Sequence, residues 1–134
     1  MEKTIFYPVI AQGALAFAIL LLLAYRRLTA IAAGQSDMKY FLVFAGVGEP
    51  EHVTAVQRSL HNQFEMPVLF YVACILAAIF SLVDSVLVYA AWVYVATRYL
   101  HALVHVTVNI VLLRFWIFVV SNLVLLFIWV WLAL

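Results

Sequence analysis

A chain of 134 residues that is 69% hydrophobic and 10% charged, with a mean hydropathy of +1.18, has too little polar sequence to clothe a water-soluble core; soluble domains are about 45–50% apolar. The bilayer is its natural solvent, and the length suits one domain of about four spans of roughly 20–25 residues each. A net charge of +1 gives no footprint for nucleic acid, and the single cysteine, Cys74, excludes an internal disulfide and reads as buried filler in an apolar run.

The first element is the apolar run from Ile5 to Tyr25. Lys3 before it and Ala30-Ile31-Ala32 after it imitate a signal peptide. The run is long enough to span, however, and Arg26-Arg27 separates it from the alanines, so it reads as a retained helix over about 6–25. A polar connection follows, with Gly34, Gln35, Ser36 and Asp37, then Gly46, Gly48 and Pro50. Between them MKYFLVF reads as a segment resting at the membrane interface, and His52 as a solvated loop residue. Thr54-Ala55-Val56-Gln57 has the pattern of a capping box, which predicts a second span over about 55–80 with Pro67 as a kink inside it. Ser81 to Ser85 reads as a tight turn in which Asp84 is a turn residue. A third span is expected over about 86–108, a short connection at Asn109 to Leu113, and a fourth span over about 114–131, where Ser121 and Asn122 read as helix-to-helix glue. The fold class expected is an all-α integral membrane four-helix bundle, residues 1–134 forming one domain.

Positive charge sets the expected orientation. Arg26, Arg27 and Lys39 follow span one, Arg114 follows span three, and the turn after span two holds no lysine or arginine. Both termini are therefore expected outside, with Trp129 and Trp131 at the outer interface.

Two polar stripes interrupt the apolar sequence. Arg58, His61, Asn62 and Glu65 share one helical face at i, i+3, i+4 and i+7; Arg98, His101, His105 and Asn109 share another, extended a turn by Tyr94. Measured from the turn between spans two and three, Glu65 and Arg98 lie about 21–22 Å away and so come level, able to pair. A charge at mid-bilayer costs roughly 2.5–3.5 kcal/mol, so these groups are expected to face one another, a neighbouring subunit or a wet cavity. One reading is an internal salt-bridge network. The other is a polar pocket open to the cytoplasm, because Arg58, Arg98 and Arg114 outnumber Glu65 and the surplus invites an anionic ligand. A zinc or iron shell from His61, Glu65, His101 and His105 has acceptable spacing, but the adjacent arginines repel a cation, and no metal is expected.

The segment RSLHNQFEMPVLFY, with Arg58, Asn62 and Glu65, resembles the second-helix signature of the MAPEG family, the membrane-associated proteins in eicosanoid and glutathione metabolism. RYLHALVHVTVNIVLLR, Arg98 to Arg114, resembles that family's third helix and the start of its fourth, with spacing like the prostaglandin E synthase branch. The chain departs from the pattern at His105, where the family's enzymes often carry tyrosine, and at Phe115, where the synthase branch carries serine. The resemblance implies a homotrimer holding glutathione between subunits near the cytoplasmic side. It further implies a pocket lined by His61, Asn62, Glu65, His101, His105 and Arg114, buttressed by Arg58 and Arg98, with Arg26 or Arg27 reaching a glutathione carboxylate. Arg114 is the expected catalytic residue, favouring the thiolate. The expected activity is a glutathione-dependent transferase or peroxidase acting on a lipophilic small molecule that arrives from membrane lipid. A bacterial inner membrane is the expected location. The alternatives are a non-catalytic lipid-binding or scaffold member of the same fold, and a histidine-metal membrane enzyme.

Overall fold

The computed structural model describes residues 2–134. A short 3₁₀ turn, Glu2–Ile5, leads into six helices: α1 Phe6–Ala32, α2 Met38–Val43, α3 Glu51–Gln63, α4 Met66–Ile79, α5 Ser85–Val106 and α6 Val111–Ala133. Four stretches are long and apolar enough to cross a membrane: Lys3–Ala32, Glu51–Ile79, Ser85–Val106 and Val111–Ala133. Only 17% of the most apolar stretch of α6 is buried inside the chain. Large apolar side chains such as Leu21, Ile79, Leu123 and Leu126 stand exposed, an arrangement that water penalises and a bilayer does not. The chain is thus an all-α integral membrane bundle.

The elements differ from expectation at several ends. Span two begins at Glu51, behind Pro50, whose extended backbone places it at the N-cap. Thr54 therefore sits a turn inside the helix and its hydroxyl donates to the Pro50 carbonyl at 3.3 Å, so the expected capping box does not form. The same span is two helices rather than one kinked helix. Pro67 has no N–H to give the Gln63 carbonyl and its ring crowds that carbonyl. Phe64 and Glu65 accordingly leave the helical path, and α4 starts afresh with the proline in its first turn. Helix α5 ends at Val106 and α6 starts at Val111, so the connection lies earlier than expected, and Asn109 turns the chain there at φ 48°. Asn109 consequently leaves the α5 stripe. The turn between α4 and α5 is as expected: the Asp84 carboxylate accepts from the Leu87 amide at 2.8 Å, N-capping α5, and also from the Trp131 indole at 3.1 Å.

Two apolar clusters hold the bundle. One joins α4, α5 and α6 through Phe70, Leu87, Tyr94, Leu125 and Ile128, with Ala73, Cys74, Ala77 and Ala91 letting the backbones approach. The Phe70 and Tyr94 rings stack at 4.6 Å between centroids. The other joins α1, α3 and α5 through Leu15, Ile19, Leu23, Val53, Val56 and Ala102. Between α1 and α3 lies a buried amide pair absent from the sequence reading: Gln12 donates to Gln63 at 2.9 Å, and Gln63 donates back to the Ser59 carbonyl at 3.3 Å. Gln12→Ala leaves the Gln63 carbonyl oxygen without its donor inside the bundle, at a cost of about 1–2 kcal/mol. Thermal unfolding in detergent should show the loss, and Gln63→Leu added to Gln12→Ala should recover part of it because both polar partners are then gone.

Arg26 and Arg27 tie the loop end of the bundle together. Arg26 donates to the His52 carbonyl at 2.8 Å and to the Val106 carbonyl at 3.1 Å, at the C-terminal end of α5. Arg27 pairs with Glu49 at 2.5 Å and donates to Gln57 at 3.1 Å. Both guanidinium groups are thus engaged in holding the fold, whereas the resemblance has one of them reaching a ligand. His52 itself is exposed, as expected, but it stands in the first turn of α3 rather than in the loop.

Candidate functional site

Helix α5 carries its stripe inward. Arg98 is 0% exposed, and His101 and His105 are each 2% exposed, with Tyr94 buried one turn away. Helix α3 does not return the gesture. Its buried face is Val53, Val56, Ser59 and Gln63, which packs on α1 and α5, so Arg58 and His61 project outward from the single chain. Glu65, released from the helix by the break, is exposed as well. Of the surroundings expected for these groups (one another, a neighbouring subunit or a wet cavity), the single chain does not turn the two stripes toward each other: only Asn62, half-buried at the edge of α3, turns toward α5 and α6. The reason is that apolar burial chooses the inward face of α3.

Arg98 and Glu65 form no ion pair. Arg98 Nη2 donates instead to the backbone carbonyl of Asn62 at 3.1 Å. That carbonyl lies in the last turn of α3, where the break removes helical donors. A guanidinium there satisfies the orphaned acceptor and complements the negative end of the helix dipole. Arg98 is thus a strut across the interruption in span two. Its Nε and Nη1 have no partner among the described residues, nor do His101 Nδ1, either ring nitrogen of His105, or the Tyr94 hydroxyl.

Asn62, His101 and Arg114 meet in one cavity of ≈ 260 Å³, whose remaining walls are Val111, Phe115 and Phe118. Helix α6 supplies four of these at i, i+3, i+4 and i+7 (Val111, Arg114, Phe115 and Phe118), one face of its first two turns. The same spacing test applied to Arg114 finds Val111 and Phe118 in the sequence, where they otherwise pass for ordinary apolar residues. Arg114 is half-buried, and its Nη1 donates to the Asn109 side chain at 2.6 Å, so the left-handed residue of the connection orients the guanidinium. The His101 ring lies 6.0 Å from Phe118 and 5.8 Å from His105, which stands behind the cavity wall together with Arg98. Of the eight residues singled out from the sequence, three line the cavity, two stand buried behind it, and Arg58, His61 and Glu65 lie on the outer face of span two.

The donor set is cationic and hydrogen-bond donating, with no carboxylate in the wall. It suits an anion bearing further polar groups, and its aromatic rim suits a lipophilic partner. A metal shell from His61, Glu65, His101 and His105 is not assembled, since the first two face outward and the last two are buried; among the described residues no three metal-ligating side chains come together.

The chain is a four-span helical membrane bundle with an arginine-bearing cleft against the first turns of its last helix. The chain belongs to the MAPEG family, whose model matches residues 5–134, essentially its whole length. Comparison with curated proteins and with solved structures gives no significant match.

Proposed function

We propose that this protein is a membrane-embedded, glutathione-dependent transferase or peroxidase, with Arg114 stabilising the thiolate. The observation that carries the reading is the cavity in which Arg114, oriented by Asn109, stands beside Asn62 and His101 under an aromatic rim. Glutathione offers two carboxylates, one ammonium and one thiol. Guanidinium groups suit the carboxylates through paired hydrogen bonds. A thiol of ordinary pKa near 8.5 ionises more readily beside a fixed positive charge. In transfer, the sulfur forms a bond to an electrophilic carbon as the leaving group departs with its electron pair. In peroxide reduction, the thiolate attacks a hydroperoxide oxygen, the O–O bond breaks, and an alcohol leaves after protonation. A second glutathione then converts the sulfenic acid to a disulfide and water.

The site is completed between subunits. Arg58, His61 and Glu65 lie exposed on a membrane-spanning segment, where lipid contact costs roughly 2.5–3.5 kcal/mol per charge at mid-bilayer. A second copy covering them removes that cost. A cavity of ≈ 260 Å³ also falls short of the roughly 300–1,000 Å³ of ligand pockets. The homotrimer of the family supplies the missing wall, bringing Arg58, His61 and Glu65 to the ligand; Glu65 suits the ammonium. The arginine distribution supports a site facing the cytoplasm, with both termini outside; the chain's compactness points to a bacterial inner membrane. The second substrate is lipophilic and enters from the bilayer past Phe115.

Titration calorimetry with glutathione in detergent tests the proposal. Saturable heat at millimolar ligand or below is expected, and silence with the oligomer intact overturns it. A second reading, a non-catalytic lipid-binding member of the same fold, rests on an apolar groove of ≈ 240 Å³ between α1 and span two, lined by Gly13, Ala16, Phe17, Leu20, Leu60, Phe64 and Tyr71. Silence with glutathione, combined with co-purified lipid, favours that reading.

A further inference from the structure

The connection between α1 and α3 does not hang free. Helix α1 runs five residues past Arg27 to Ala32, and the chain then folds back, so that the Arg27 guanidinium lies 5.3 Å over the Phe41 ring. Phe41 thereby returns to the level of the arginines that mark one boundary of the spanning segments. The loop is closed by a reciprocal pair: the Asp37 amide donates to the Val47 carbonyl at 3.1 Å, and the Val47 amide donates to the Asp37 carboxylate at 3.1 Å. Gly46, at φ +93°, permits that closure, since a Cβ there would fall on the Asp37 carboxylate. Tyr40 meets Phe41 and Phe44 edge-on at 5.6 and 5.7 Å.

This folded loop presents its apolar side chains outward. Leu42 is 76% exposed and Phe44 83%, with Met38 and Val43 also exposed. Phe44 adopts a left-handed backbone, φ 53°, at the end of α2, an unfavourable conformation for a bulky residue, and the reward for holding it there is not burial within the chain. Lys39 stands exposed among these groups, as amphipathic residues do at the headgroup layer.

We propose that residues 38–47 form an interfacial anchor, a preformed apolar loop set into the headgroup–acyl boundary of the bilayer that the helices span, on the side bearing Arg26 and Arg27. The lipid surface is the occupant because the loop sits at the level of the boundary arginines and continues the exposed apolar surface of α1 at Tyr25 and Leu28. Its Leu, Val and Phe side chains then lie about 5–10 Å into the boundary, while Lys39 meets phosphate. The anchor fixes the height and tilt of the loop end of α1 independently of what the cavity binds.

Site-directed spin labelling in phosphatidylcholine vesicles tests this. Single cysteines replace Leu42, Phe44 and, as an aqueous reference, Gln35, in a Cys74→Ala background. The ratio of oxygen to nickel-chelate accessibility is expected to be several-fold higher at 42 and 44 than at 35. A ratio equal to that at 35 places the loop in water and overturns the proposal. Labels shielded from both colliders show protein cover by a second copy and overturn it equally. Should Cys74→Ala disturb the bundle, Phe44→Trp in the otherwise native chain serves: its added fluorescence is expected to be quenched by brominated acyl chains and spared by aqueous iodide, and the reverse pattern sinks the anchor.

Discussion

Arg114→Ala is expected to lower turnover of glutathione with a general electrophile by about 10²-fold while the protein stays assembled. Removing one preorganised donor from a site that stabilises developing negative charge typically costs about 10²–10³ in rate, and the guanidinium of Arg114 is held in place before any ligand arrives by its bond to Asn109 at 2.6 Å. The structural cost is smaller. The side chain is half-buried at the first turn of α6, and loss of one hydrogen bond of this kind costs about 0.5–1.5 kcal/mol. Arg114→Lys keeps the charge without the planar fork and should fall between wild type and alanine. Initial rates at saturating glutathione, with size-exclusion of the same samples, decide the matter. Unchanged turnover removes Arg114 from the thiolate role.

Arg98→Met is expected to raise the KM for glutathione by about 5–10-fold, equivalent to about 1–1.4 kcal/mol, with kcat nearly unchanged and only a modest change in stability. A charge-assisted hydrogen bond contributes about 1.5–3 kcal/mol, but Arg98 is wholly buried and two of its nitrogens have no protein partner, so desolvation offsets much of that gain. Arg98 holds the carbonyl of Asn62, and the Asn62 side chain lines the cavity with His101, one turn beyond Arg98 on α5. Without the strut, the broken end of α3 is free to shift relative to α5. Arg98→Lys, which restores one charged donor, should recover part of the affinity. Since the effect passes through Asn62, adding Arg98→Met to Asn62→Ala should raise KM little further. Additive losses would show that Arg98 meets the ligand directly.

Much of this was legible in the chain. Four apolar stretches, the Asp84 turn and the inward stripe of Tyr94, Arg98, His101 and His105 follow from hydropathy and helical spacing, because burial of apolar surface and exclusion of charge from lipid act on each helix separately. The family was legible from Arg58, Asn62 and Glu65 together with Arg98 to Arg114. The orientation of α3 was not. Its polar stripe and its apolar-plus-amide face, Val53, Val56, Ser59 and Gln63, both have helical spacing, and the sequence does not say which one a neighbour will cover. The Gln12–Gln63 pair was invisible for a related reason: each glutamine alone resembles a tolerated polar residue, and only their meeting across 51 positions makes them a unit.

What the sequence determined by itself is the solvent, the number of crossings and the inventory of charged groups that must be hidden, since these depend on composition and on the period of single helices. What tertiary structure alone decided is the division of labour among those groups. Arg26 and Arg27 fasten the loop end, Arg98 spans the break that Pro67 makes, and Arg114 is left facing a cavity. The three tasks fall to one residue type because a guanidinium takes whatever carbonyl or carboxylate the packing brings near it, and that choice is made between helices rather than along any one of them.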